Sequence, residues 1–398
     1  MRLLEGALLE EEDNQAARGS LADLWKDRLE EAEARGDGEQ AAFALTMIRR
    51  YDDGRYARIV AGSGTLDLAS DPGATEVGIV ALEDRDGILV PGEERPLGKT
   101  PLGPVELPMG SYLCVVRSAV RGEVLHPVHI RRNGAWSGKV RVFSRQDVGE
   151  EFVLVPGGPF LFGEGKAAQV RELPDFAVQR EPVTFGDWLE FLGALDREEG
   201  KEEAAKRIPG TAGDGLFVER TKRGDYRVLD LVVTGKARER CGKEHGEDFV
   251  LRVPVIGVSF EDAAAYCAWK SKTTGRQWRL PTEEEREKAA RGVDGRRFPW
   301  GDLEDASLGK CRDSRDEPSQ PEPVGTFPSA ASIYGMVDAA GNAWDWTDTW
   351  ADDMRTLRVL KGGAWSSVVV NLRCASRVAY DPTIRLAVTG FRCARSLR

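Results

Sequence analysis

Pro254-Val255-Ile256-Gly257-Val258-Ser259-Phe260-Glu261-Asp262-Ala263 and, further on, Arg279-Leu280-Pro281-Thr282-Glu283-Glu284-Glu285 each read as a chain entering a helix. A Ser or Thr before the first helical residue accepts the backbone N–H three positions on, and an acidic residue at that position returns a bond to the cap. Ser259 with Asp262 and Thr282 with Glu285 supply both halves. Ala263, Ala264, Cys267 and Ala268 give the first helix a face of small residues for tight packing. Beyond Gly292 no helical period remains, only loops and short strands rich in Trp and Gly. Capped helices followed by such strands predict an α+β domain over 149–398.

Toward the N-terminus the pattern changes twice. From Gly64 to Phe143 short alternating runs, such as Thr65-Leu66-Asp67-Leu68 and Ser111 to Val116, are punctuated by Asp71-Pro72-Gly73, Asp86-Gly87 and Met109-Gly110. Strands of that length predict a small β-sandwich over 58–148. Residues 1–57 are rich in Glu, Ala, Arg and Leu. Leu21, Leu24, Trp25, Leu29 and Ala32 recur at helical spacing, and Ala41, Phe43, Ala44, Met47 and Ile48 mark a second helix through Gln40 to Tyr51. Gly36-Asp37-Gly38 connects them, so a helical hairpin is predicted. Gly92 to Thr100 looks like a phosphate loop, but its spacing is one residue too long and it sits among strands, so nucleotide binding is not expected. His126 and His129 fall on opposite faces of a strand and read as a half-exposed structural pair, not as co-ligands.

Composition narrows the chemistry. With 398 residues, 56 basic and 66 acidic side chains, the formal charge is −10 and the pI about 5.2. That argues against nucleic acid or anionic lipid as the main partner, since both require a basic face. Three His cannot furnish a multi-His metal enzyme beyond a single site, and the 6 Cys are dispersed with no CxxC, so reduced thiols are expected. No stretch is apolar enough to span a bilayer, and the start Met1-Arg2-Leu3-Leu4-Glu5 lacks the regions of a signal peptide, which predicts a cytoplasmic protein without membrane insertion. Asn occurs only at Asn14, Asn133, Asn342 and Asn371, a composition expected of a heat-adapted source.

Several ordered motifs carry a family resemblance. They are Phe152-Val153-Leu154-Val155-Pro156-Gly157-Gly158-Pro159-Phe160, the two helix entries above, Phe298-Pro299-Trp300-Gly301, Pro323-Val324-Gly325, Ala340-Gly341-Asn342-Ala343-Trp344-Asp345-Trp346 and Gly390-Phe391-Arg392-Cys393. Together they resemble the formylglycine-generating enzyme (sulfatase-modifying factor) family, which implies a variant of the C-type lectin fold. Ser70-Asp71-Pro72-Gly73-Ala74, Gly98 to Gly103 and Leu107 to Tyr112 resemble the PEGA domain, implying an accessory module. The series of helices, PEGA-like module and this domain also resembles regions that follow the kinase in some bacterial Ser/Thr kinases. The kinase glycine loop and the HRD and DFG motifs are not in this sequence.

The resemblance implies, for enzymatic members, oxidation of a substrate cysteine with copper held by two cysteines just after a Lys-Gly-Gly. Here Lys361-Gly362-Gly363 is followed by Ala364-Trp365-Ser366-Ser367-Val368-Val369-Val370-Asn371. Ser367 stands where the first cysteine would fall and valines where the second would be. A hydroxyl does not replace a soft thiolate for Cu(I), so no copper and no catalytic residues are expected. Cys374 and Cys393 resemble structural cysteines of the family, Cys393 being paired there with the one at Cys267. The related iron-dependent sulfoxide synthases need a separate three-histidine domain, which the low His content of this chain argues against.

From Arg358 to Arg395 framework and filler alternate. Gly362, Gly363, Trp365, Leu372, Arg373, Arg377, Pro382, Arg385, Gly390, Phe391 and Arg392 fit the family. Between them stand Ala364, Ser366, Ser367, Val368, Val370, Val378, Ala379, Tyr380, Asp381, Thr383, Ile384, Leu386, Ala387 and Val388, many of them aliphatic where loops usually carry polar residues. This resembles the variable proteins of diversity-generating retroelements, in which template adenines are randomised and Asn codons become codons for Val, Ile, Leu, Ala, Ser, Thr, Asp or Tyr. The resemblance implies a non-enzymatic binding face over 364–389 that takes a protein or other macromolecular ligand, with Tyr380 as an anchor. A plainer reading makes Val368 to Val370 and Ile384 to Val388 buried core strands. Two further readings are a copper oxidase or its remnant, and a fixed-partner regulatory module derived from a kinase. Asn342 and Asp345 resemble the family's calcium motif, implying a structural Ca²⁺ on oxygen ligands, with Asp345 one methylene shorter than the usual Glu.

Overall fold

A computed structural model describes residues 3, 6, 11, 14–35 and 37–397. Met1, Arg2, Leu4 and Glu5 of the chain start, and Gly36 of the hairpin loop, lie outside the described residues. The helices Gln15–Arg35 and Gly38–Tyr51 pack antiparallel through Leu21, Trp25 and Leu29 on one and Ala44, Ile48 and Tyr51 on the other. Asp37 caps the second by accepting the Gln40 N–H. Arg132, on the module that follows, reaches back to Glu33 at 2.9 Å.

That module is a two-sheet sandwich. Strands β1 (Ser63–Asp71), β4 (Leu102–Pro108) and β7 (Ala135–Arg141) form one sheet in the order β4-β1-β7. Strands β2 (Glu76–Arg85), β3 (Ile88–Lys99), β5 (Gly110–Ser118) and β6 (Gly122–Ile130) form the other in the order β3-β2-β5-β6. Alternation places Leu66, Leu68, Val77, Ile79, Cys114, Val116, Val128 and Val140 between the sheets. Gly92 to Lys99 lies within β3, an extended strand, not a loop that could wrap a phosphate. His126 departs from the half-exposed expectation. It is buried against Trp136, and burial pushes its pKa down to about 3, whereas His129 is half-buried beside the Ser111 hydroxyl.

The sandwich is bonded to the C-terminal domain. Leu89 N–H donates to Trp300 O at 2.7 Å, and the Asp302 and Leu303 N–H groups converge on Gly87 O at 2.7 and 2.9 Å. Gly301 permits this approach: its φ is 138°, and a Cβ there would lie 2.3 Å from Gly87 O. Ser111 Oγ donates to Asp294 at 2.7 Å, and Val80, Leu113 and Val115 pack with Ile333.

In the C-terminal domain a three-stranded antiparallel sheet, Ala394–Ser396 with Phe176–Gln179 with Phe152–Val155, joins the domain's two ends. A second sheet runs Arg377–Tyr380, Arg358–Lys361, Trp344–Trp350, Thr389–Gly390. Helices Phe185–Glu198 and Phe260–Thr274 enclose the core between them, with Trp188 stacked on Tyr266 and both against Phe391. Both sequence-read capping boxes form, Ser259 with Asp262 and Thr282 with Glu285. After Gly292 the described helical elements are short 3-10 turns.

The helix Glu283–Arg291 is charged in sequence yet almost wholly buried. Its charges are each engaged: Glu285 with Arg279, Arg286 with Asp345, and Glu287 with Arg291 and Lys361. Lys288 donates to Pro156 O and Gly158 O. Partnering makes such burial tolerable, because an isolated charge there would cost several kcal/mol.

Candidate functional site

The segment after Lys361-Gly362-Gly363 folds as two irregular loops flanking one edge strand. Val369–Leu372 is a 3-10 turn, Arg377–Tyr380 is the outer strand, and 381–388 forms no strand. Of the expected ligand-binding residues only Ala364 is buried. Ser366, Asp381, Thr383 and Ile384 are exposed, while Ser367, Val368, Val370, Val378, Ala379, Tyr380, Leu386, Ala387 and Val388 are half-buried. The alternative of buried core strands therefore fails for Ile384 to Val388: the stretch forms no strand, Ile384 is exposed, and Ala387 and Val388 are only half-buried against the core.

Framework residues hold those loops in place. The Trp365 indole N–H donates to Ala387 O at 2.8 Å, tying the first loop to the second. Arg385 grips Asp262 with two bonds, Nε to Oδ2 at 2.8 Å and Nη2 to Oδ1 at 2.9 Å, and donates to Ile208 O and Lys206 O. Burial pushes the Asp262 carboxyl up, but bonds from Arg385, the Ser259 N–H and Arg207 outweigh it and hold the pKa below the ordinary value. Backbone bonds from Gly257 N–H to Leu386 O and from Phe260 N–H to Pro382 O, each 3.0 Å, complete the attachment. Loops fixed by backbone and framework contacts tolerate changes in the intervening side chains.

One neighbour of this face is not apparent in the sequence. The Arg358 guanidinium lies 3.6 Å from the Trp350 ring centre and 4.1 Å from that of Phe260, and Arg358 is the strand partner of Tyr380. Arg358 and Phe260 sit far apart in sequence, so only the fold brings the cation between two aromatic rings.

The calcium expectation does not fit the donors present. Asn342 Oδ1 accepts the Glu322 N–H at 3.1 Å, and its Nδ2 donates to Glu322 O and Asp338 Oδ2. Asp345 Oδ2 accepts Arg286 Nε and Arg392 Nε, both at 2.7 Å, with all three side chains 1% exposed. A cation at Asp345 would face two guanidinium groups. Asn342 and Asp345 act instead as a turn clamp and an ion-pair centre. Nearby Asp338 has its pKa pushed up to about 6 by burial, against the opposing bonds from Asn342 and Gly325.

A family model described as the sulfatase-modifying factor enzyme 1-like domain matches residues 139–397. The chain belongs to this family. Among sulfatase-modifying factor relatives it is 33% identical over 274 residues to the inactive C-alpha-formylglycine-generating enzyme 2 of Mus musculus, covering 61% of this chain and 85% of that protein. It is 35% identical over 303 residues to the formylglycine-generating enzyme of Thermomonospora curvata, covering 63% and 95%. Among solved structures, Treponema denticola variable protein 1 aligns at 17% identity with a TM-score of 0.42, covering 61% of this chain and 94% of that one. The family thus contains catalytic and inactive members, and the sulfatase-modifying factor domain here has the C-type lectin-like α+β fold.

In this sulfatase-modifying factor domain the thiols are withdrawn from the loop surface. All described cysteines are buried and free. Cys267 and Cys393, which the resemblance pairs, bring their sulfurs to 3.6 Å. Burial pushes the Cys374 thiol up to about 11 and the Cys393 thiol well above its ordinary value, which opposes a reactive thiolate. Ser367, at the position of the first copper-binding cysteine in the resemblance, accepts the Ala364 N–H through its hydroxyl at 3.1 Å.

Proposed function

We propose that this chain is a non-catalytic binding protein that displays a diversified surface, residues 364–389, on a sulfatase-modifying factor scaffold, in the manner of a diversity-generating retroelement variable protein. The observation that carries the reading is the half-exposed set Val368, Val370, Val378, Tyr380, Leu386 and Val388, on two loops and the edge strand between them, with the framework residues Trp365 and Arg385 locked by hydrogen bonds. A fixed backbone carrying apolar side chains is what an adaptable recognition surface requires, and Tyr380 beside the Arg358 and Trp350 stack supplies an aromatic anchor. The partner is a protein or other macromolecule, and the PEGA-like sandwich serves as a rigid accessory support.

The reading is tested by titrating the reduced protein with Cu(I) and by incubating it, copper-loaded, with a Cys-containing peptide. Neither stoichiometric Cu(I) binding nor peptide turnover is expected. Either result would favour the copper oxidase reading instead.

A further inference from the structure

A cavity of about 620 Å³ lies where β6 and β7 of the sandwich meet the hairpin Gly158–Phe162 and Gln169–Leu173 of the C-terminal domain. None of its lining residues belongs to the segment 364–388. Strand β7 is the outermost strand of its sheet and pairs only with β1, in parallel. The ladder begins with Thr65 N–H to Gly134 O and ends with Val142 N–H to Asp71 O. In a parallel ladder of that register the backbone groups of alternate residues, Trp136, Gly138 and Val140, bond to β1. The N–H and C=O groups of Ala135, Ser137, Lys139 and Arg141 therefore point outward, and all four residues line the cavity. They form a row of free donors and acceptors spaced about 6.6 Å apart.

Basic residues stand on the sandwich side of the cavity, Arg131, Lys139 and Arg141, and acidic ones, Glu172 and Asp175, on the hairpin side. Arg131 and Lys139 have no carboxylate within ion-pair distance among the described residues, while Arg141 is 4.0 Å from Asp175. On a chain of net charge −10 this is a local basic strip beside an open strand edge. Natural sheets normally cover or block such an edge, because it is a template for another strand.

We propose that this cavity is a receptor for an extended acidic peptide of a partner protein, which adds as a strand to the outer edge of β7. The peptide backbone exchanges hydrogen bonds with Ala135, Ser137, Lys139 and Arg141, and its carboxylates meet Arg131 and Lys139. The test uses the full chain and a fluorescein-labelled peptide of alternating Glu and Val, read by fluorescence anisotropy. Saturable binding is expected, weakened about tenfold or more by Ser137→Pro, which deletes an outward N–H that the β1 ladder does not use. The same loss is expected when alternate peptide nitrogens are methylated, and Lys139→Glu with Arg141→Glu should transfer preference to the Lys and Val counterpart. If Ser137→Pro disturbs folding, the methylated peptide and the charge reversal decide alone. No anisotropy change at millimolar peptide, equal binding of Glu and Lys peptides, or indifference to methylation would overturn the proposal. So would concentration-dependent dimerisation that Ser137→Pro abolishes, which would assign the edge to a second copy of this chain.

Discussion

Arg385 and Asp262 join the middle of the second loop to the first turn of the helix Phe260–Thr274 through a two-bond ion pair, 2.8 and 2.9 Å long. The same carboxylate completes the Ser259 capping box and pairs with Arg207. One buried side chain thus starts a core helix and anchors the proposed recognition loop. Asp262→Ala should cost about 3 to 4 kcal/mol, the effect of breaking a buried pair together with a cap. Urea unfolding measures this as a lower midpoint at unchanged slope, and a loss below about 1 kcal/mol would mean that solvent already screens the pair.

Asp345 holds Arg286 and Arg392 at once. Asp345→Asn should therefore destabilise by about 3 to 5 kcal/mol, because two buried guanidinium groups lose their counter-charge. For the same reason millimolar calcium should leave the melting temperature of the metal-stripped wild-type protein unchanged. A calcium-dependent rise would restore the calcium reading of Asn342 and Asp345.

Asp338 gives a pH dependence with a definite sign. Burial raises its folded pKa to about 6, against about 4 in the unfolded chain. Between those values the folded protein keeps a proton that the unfolded chain has lost. Its contribution is present in full below about pH 4 and is lost as pH rises through about 6, a change of about 2 to 3 kcal/mol. Calorimetric melting across this window should show a flatter profile for Asp338→Asn than for wild type. Identical profiles would remove Asp338 as the source.

Trp365 and Ala387 connect the two loops through one indole hydrogen bond. Trp365→Phe keeps an aromatic ring but removes the donor and part of the indole, so global stability should fall by about 1 to 2 kcal/mol. Hydrogen exchange should accelerate within 364–371 and 381–388 and remain unchanged in the helix Phe260–Thr274. Uniform acceleration would show that the bond supports the whole domain.

Local chemistry was the legible part of this fold. Ser259 and Thr282 announced their helices because a capping box is written within four residues, and Leu21, Trp25 and Leu29 announced theirs by period. The sandwich was readable from alternation, but the burial of His126 was not, since it depends on Trp136 from another strand. The candidate loop was readable as framework and filler, whereas its attachment was not: Arg385 meets Asp262, and Arg358 meets Trp350 and Phe260, only through the tertiary fold. The partners of the calcium-like motif were not readable either: Asn342 and Asp345 are close in sequence yet bond to different groups, Glu322 and the two arginines. The free edge of β7 was invisible without the ladder register that assigns each backbone group to one side or the other.

A variable recognition surface over residues 364–389 on a fixed scaffold would leave its record in the gene. Sequencing this gene and its flanking DNA from independent isolates tests it most directly. Differences concentrated at Ser366, Ser367, Val368, Val370, Val378, Tyr380, Thr383, Ile384, Leu386 and Val388 are expected, with Trp365 and Arg385 unchanged. A near-identical downstream repeat that differs at adenines is expected as well. Invariant residues at those positions, with no such repeat, would contradict it.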